Sequence, residues 1–259
     1  MKKKSIRKKK GIDWMSIIPP WILLAIIFAV WEIAAKTTGI SEYILPPMSK
    51  IIHGVITKFP GELLPHFLLT VRVIVLGFIF ATILGISLAA IFSQFNIITK
   101  AVTPVIIWLV ITPMITLIPL MTLWLGYDPV LRTYVVILQA TPIIALNTLN
   151  GFVNVDNDKV ELAKSVGCTR MQRFTKIVFM NAMPQVFTGI KLGSIFSTIA
   201  ALSADIVSGN AGLGFKISQF TKYNNVYMSY GTIFLVGLIG LTLYKIIERI
   251  ERRVVLWKN

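Results

Sequence analysis

Apolar positions along this chain come in six long unbroken blocks, and polar positions crowd into the stretches between them. Each block can cross about 30 Å of hydrocarbon as a helix of about 20 residues. This predicts an all-α polytopic membrane protein with six transmembrane helices. The expected spans are 14 to about 35, 73 to 99, 101 to 127, 133 to 153, 183 to 208 and 223 to 244. The second carries no charge between Arg72 and Lys100. The third is also uncharged but holds Pro104, Pro113 and Pro119. Each proline removes a helix hydrogen bond, so span three is expected to be bent and surrounded by helices that repair the loss. A kinked structural helix and a pore-lining one satisfy these prolines equally. In the outer connection 37–65, a Leu45-Pro46-Pro47 turn precedes Ile51, Ile52, Val55, Ile56 and Phe59 at helical spacing. That spacing predicts an amphipathic helix lying flat at the interface.

Composition agrees. The chain is 55% hydrophobic and 14% charged, too little charge to wet a soluble surface of this size. A net charge of +15 invites a nucleic-acid partner, but its distribution argues against one. Lys and Arg crowd the termini and one internal loop, the positions that the positive-inside rule assigns to cytoplasmic flanks. With both termini, the turn at Lys100, the loop 154–182 and Lys191 on the inner side, 19 of 26 Lys and Arg lie there. The expected organisation is a basic cytoplasmic tail at 1–13, a six-helix domain at 14–249 and a basic cytoplasmic tail at 250–259. The N-terminal basic run can also touch anionic lipid headgroups. The apolar block behind it is full length, unlike that of a signal peptide.

Catalytic chemistry finds little support. One cysteine, Cys168, and two histidines, His53 and His66, make neither a disulfide nor a zinc site. Gly209 to Gly214 has the glycine spacing of a phosphate-cradling loop, but Phe215-Lys216 follows where Lys-Ser or Lys-Thr is required. The chain is therefore read as having no catalytic site and no cofactor of its own.

The informative segment is the loop between spans four and five. Asp156, Asn157 and Asp158 supply N-cap oxygens and negative charge at a helix start. A short helix follows through Lys164 and stops at Gly167, a natural helix-ending residue. Thr169-Arg170-Met171-Gln172 has the form of a capping box and opens a second helix. Two short helices hinged at a glycine make a knob where a plain connection needs only a few residues.

Glu161-Leu162-Ala163-Lys164-Ser165-Val166-Gly167, with Ile177 ten positions on, resembles the EAA loop of binding-protein-dependent ABC permeases. Leu162 departs from that pattern, and Phe179-Met180 stands where Leu-Pro is usual, with Pro184 beyond. The rigid turn a proline would give there is thus in question. Leu45-Pro46-Pro47-Met48-Ser49, Pro119-Leu120 with Leu123-Trp124-Leu125-Gly126, and Asn147-Thr148 with Gly151 are similar to further family segments. So is Ala204-Asp205 leading to Gly212-Leu213-Gly214-Phe215. In this order they resemble the nitrate, sulfonate and taurine branch, which includes permeases for thiamine precursors and riboflavin.

The resemblance implies a type I ABC importer permease in the bacterial inner membrane, moving a small solute inward by alternating access. It implies a separate cytoplasmic ATPase dimer that binds ATP and Mg, an extracytoplasmic substrate-binding protein, and a permease homodimer around one pathway. It assigns ATPase coupling to Glu161, Ala163 and Gly167, with Lys164 and Asp156 beside them. For pathway or gate the candidates are Asp205, Asn147, Thr148 and Gln139, because polar groups at membrane depth are costly. Helix–helix hydrogen bonding explains the stripe on span four as readily, and a carboxylate holding the outer loop explains Asp205. A stand-alone secondary transporter is the alternative; it normally shows two related halves and ion-coupling carboxylates. A membrane-embedded enzyme would need clustered His, Asp or Cys.

Overall fold

A computed structural model describes residues 14–126 and 129–256, so the expected basic tail at 1–13 lies outside the described residues. In chain order the helices are α1 (Trp14–Thr37), α2 (Met48–Lys58), α3 (Leu64–Phe92), α4 (Asn96–Ile111), α5 (Met114–Leu125) and α6 (Pro129–Val153). They continue with α7 (Asn157–Ser165), α8 (Arg170–Arg173), α9 (Phe179–Ser208), α10 (Leu213–Lys222) and α11 (Val226–Val254). π-Helical turns at Phe59–Leu63 and Phe174–Val178 fuse α2 to α3 and α8 to α9. Five of the described helices are long and apolar enough to cross a membrane, and α4 with α5 supplies a sixth if that bent pair counts as one span.

α6 forms the centre. Some 61% of its most apolar stretch is buried within the protein, against 6% for α1. It packs between α3 and α9, and glycines let both come close. A methyl group added at Gly85 of α3 would stand 2.9 Å from Ile144 Cβ, and one at Gly189 of α9 would stand 2.9 Å from Asn147 Cβ. Close backbone approach through small residues is how helices associate where lipid removes the hydrophobic driving force. α1 stays peripheral and touches the body through Phe28 and Trp31. The Trp31 ring meets that of Tyr230 at 5.5 Å, and its Nε1 donates to the Pro46 carbonyl at 2.9 Å.

Several boundaries differ from expectation, each for a local reason. α3 starts before 73 and stops before 99. The chain turns at Ser93–Phe95, where Ser93 Oγ and Gln94 Nε2 both donate to the Ala90 carbonyl, at 2.9 and 3.2 Å. Such side-chain donors compete with helix continuation, and Lys100 falls inside α4. The outer amphipathic helix is not a separate element lying flat. α2 runs on into α3 as one stretch of 45 residues, about 68 Å at 1.5 Å per residue. Its buried face, Met48, Ile51 and Gly54, finds α11 instead of the interface, with Gly54 against Tyr227 and Met228.

Span three is bent by 91° between α4 and α5. Thr112 is extended because it precedes Pro113, which disfavours helical backbone in its neighbour. Other helices of this chain do not surround it, contrary to expectation: Trp108, Ile111, Leu123 and Trp124 are each 66% exposed or more. α11 continues helically past Tyr244 to Val254, so residues 250–254 of the expected tail belong to this helix, and Ile247, Glu251 and the capping Val255 are buried.

Candidate functional site

The α6–α9 connection is ordered by its own sequence. Asp156 caps α7 by accepting the Asp158 N–H at 3.1 Å. Gly167 takes φ +79°, a left-handed conformation that costs glycine little. There the Gly167 N–H donates to the Lys164 carbonyl and the Cys168 N–H to the Ala163 carbonyl, both at 3.0 Å, closing a Schellman turn. Thr169 and Gln172 make both bonds of the capping box, at 2.9 and 3.3 Å. The second helix, however, is not short. It opens at Arg170 and runs unbroken to Ser208, 39 residues in all. Phe179-Met180 sits within this run, and Pro184 is taken up inside α9. No separate turn forms where Leu-Pro would stand.

Side chains fasten the loop to the bundle. The Arg170 guanidinium donates to the Gln94 carbonyl at 2.8 Å and lies over the Phe95 ring. Lys159 Nζ donates to Asn181 Oδ1 at 3.0 Å, and Phe152 meets Phe174 at 5.2 Å between centroids. Ala163 is the buried residue of α7. On the outside, Leu162, Val166 and Met171 are 67%, 71% and 70% exposed, beside the exposed Glu161 and Lys164. Among the described residues Glu161 has no ion-pair partner. An apolar trio this open on a tethered loop marks a contact surface.

At the other end of the bundle, Asp205 is fully buried and pairs with Arg132, 1% exposed, at 3.4 Å. Thr70 Oγ1 donates to Asp205 Oδ2 at 2.7 Å and accepts the Leu213 N–H at 2.9 Å. The Gly212 N–H donates to His66 Nδ1 at 3.0 Å. Arg132 Nε donates to Ser208 Oγ at 3.2 Å, and Arg132 also binds Asn210 Oδ1. A methyl at Gly212 would strike the Asp205 carboxylate. The geometry is that of a clasp joining α3, α6 and the end of α9 to the segment 209–214. A span starting at 133 leaves Arg132 outside the candidate residues, as the sequence also leaves Thr70 and His66. A lone arginine between Leu131 and Thr133 was the available signal, since a charge amid apolar residues implies a buried partner.

The polar stripe expected on span four divides. Asn147 lines a polar cleft of about 710 Å³ with Asn150, Asn154, Asn181 and Gln185. Thr148 is fully buried, and Gln139 is half-buried and does not line this cleft. The structure therefore does not gather Asp205, Asn147, Thr148 and Gln139 into one site.

A helical membrane core with an ordered loop of this kind defines a class. Residues 81–256 match the family described as binding-protein-dependent transport system inner membrane component, and the chain belongs to that family. Two relatives are similar over most of the chain. It is 25% identical to the formylaminopyrimidine transport permease protein ThiX of Halalkalibacterium halodurans, over 93% of this chain and 96% of that one. It is 22% identical to the taurine transport system permease protein TauC of Escherichia coli, over 90% and 87%. The fold resembles the crystal structure of a bacterial alginate ABC transporter in complex with alginate pentasaccharide-bound periplasmic protein. There the TM-score is 0.62 at 14% identity, covering 95% of this chain and 99% of that one. An amino acid ABC transporter with histidines gives 0.61 at 17%, covering 76% and 96%. The protein is a multi-pass inner-membrane ABC transporter permease with the type I fold.

Proposed function

We propose that this chain carries a small polar solute into the cytoplasm by alternating access, as one of two permease copies driven by a separate pair of ATPase subunits. The solute is a nitrate-, sulfonate- or taurine-like anion or a vitamin precursor, delivered by an extracytoplasmic binding protein. Both termini and the α6–α9 loop face the cytoplasm, where the basic residues concentrate.

The observation that carries this reading is the exposed apolar surface of the α7–α8 loop. Leu162, Val166 and Met171 stand open in a loop whose turn, caps and tethers are all satisfied. Burying each against a partner stabilises by about 1.5–3 kcal/mol. Glu161 offers a carboxylate to a basic groove residue, Lys164 and Asp156 flank it, Ala163 seats α7 on the bundle, and Gly167 sets the angle into α8. The ATPase closes around ATP and Mg and draws two such loops together. That shifts the permease between two packings.

The test is co-purification with the cognate ATPase subunit, comparing wild type with Glu161→Lys and Gly167→Pro. Both substitutions are expected to reduce assembly and solute-stimulated ATP hydrolysis at least tenfold, about 1.4 kcal/mol. Survival of both properties in both variants overturns the assignment of the loop.

A further inference from the structure

We infer that the amide-lined cleft between α6 and α9 is the inner vestibule of the solute pathway, and that it receives a small polar solute through amide dipoles instead of a fixed opposite charge. This rests on the permease reading above. Asn147, Asn150 and Asn154 fall at i, i+3 and i+7, one face of α6, and Asn181 and Gln185 face them from α9. From Asn154 to Asn147 the cleft reaches about 10 Å along the helix axis. Amides this deep are costly against lipid, so a water-filled opening is their compatible surrounding. Gly151 keeps the two walls together, because a methyl there would stand 2.8 Å from Gln185 Cβ.

The amides are already oriented. Asn147 Nδ2 donates to the Ile143 carbonyl and Asn181 Nδ2 to the Ile177 carbonyl, both at 2.8 Å. Asn181 Oδ1 is taken by Lys159, while Asn147 Oδ1 remains for a guest. Among the described residues the buried charges are committed in pairs: Arg132 with Asp205, Glu251 with Lys191 and Lys216 with Glu62. At the cleft mouth Lys159 and Asp156 carry opposite signs. A solute therefore meets groups that both donate and accept hydrogen bonds, and it is held weakly enough to leave. The matching class is a small solute rich in donors and acceptors, of either charge sign or zwitterionic.

The probe is thiol chemistry, made simple by the single cysteine. In the permease–ATPase complex with Cys168→Ser, each of Asn147→Cys, Asn150→Cys and Ile199→Cys is exposed from the cytoplasmic side to an anionic and a cationic methanethiosulfonate. Asn147→Cys and Asn150→Cys are expected to react with both, at rates within about threefold of each other after normalisation to a free thiol. The apolar control at Ile199 is expected to stay silent. A fixed charge nearby would attract one reagent and repel the other, separating the rates by about tenfold or more. Such a separation, or silence at Asn147 in every nucleotide state of a complex that hydrolyses ATP, overturns the inference. Failure to form an ATP-hydrolysing complex before any cysteine is placed in the cleft instead overturns the underlying reading.

Discussion

Asp205 and Arg132 show how one buried pair can organise a whole end of a membrane protein. Each is nearly sealed from solvent; Asp205 also accepts from Thr70 Oγ1 and the Gly214 N–H, and Arg132 donates to Ser208 Oγ. Removing one charge strands the other in a medium that solvates it poorly. Arg132→Met is therefore expected to cost about 3–5 kcal/mol, whereas an apolar replacement of both partners is often near neutral. Thermal unfolding in detergent checks this. Arg132→Met should lower the midpoint steeply, and the double variant Arg132→Met with Asp205→Leu should recover most of the loss. Equal midpoints for wild type and Arg132→Met would show that the pair contributes nothing to stability.

The helices meet through glycine. At the α3–α6 seam the group facing Gly85 is the β-branched stem of Ile144, with the Thr141 carbonyl at 3.0 Å, so neither neighbour can swing away. Gly85→Ala is expected to destabilise by about 1–3 kcal/mol through overpacking. Gly61→Ala serves as the contrast, since nothing lies within 4 Å of its added methyl; it should be neutral or gain about 0.5–1 kcal/mol. Denaturation of both variants beside wild type decides the point, and equal losses would remove the seam argument.

At this scale the sequence was legible wherever local chemistry governs. The Asp156 cap, the Gly167 turn and the Thr169–Gln172 box all form as their residue types dictate. Legibility failed where distant partners decide. The charge on Arg132 concealed the first turn of α6 because Asp205 lies 73 positions away. Lys191 counts in the sequence only as an inner-side basic residue, yet it pairs with Glu251 at 2.6 Å. The face of α2 belonged to α11, and no pattern within 48–58 could reveal that.

A single copy is visibly unfinished as a whole molecule. The bent α4–α5 pair turns Trp108, Leu123 and Trp124 outward, and α1 stands apart with almost nothing covering it. Lipid can cover these surfaces, and in the paired arrangement proposed above a second permease would. Native mass spectrometry of the detergent-extracted complex is expected to give two copies of this chain with two ATPase subunits; a single permease per assembly would contradict the paired arrangement. Selectivity, on this view, is divided. The binding protein chooses the solute, and the amide cleft needs only to avoid trapping it.

The run from Arg170 to Ser208 has one further consequence. At about 58 Å, this single rod starts inside the loop an ATPase would grasp and ends on the carboxylate that fastens the far surface. On the coupling proposed above, this continuous rod is expected to work as a seesaw, so that a push at one tip appears as motion at the other. Its candidate soft joints are the π turn at Phe174–Val178, near the loop, and Pro184 beyond it, and how far they yield would set how much of such a push crosses the membrane.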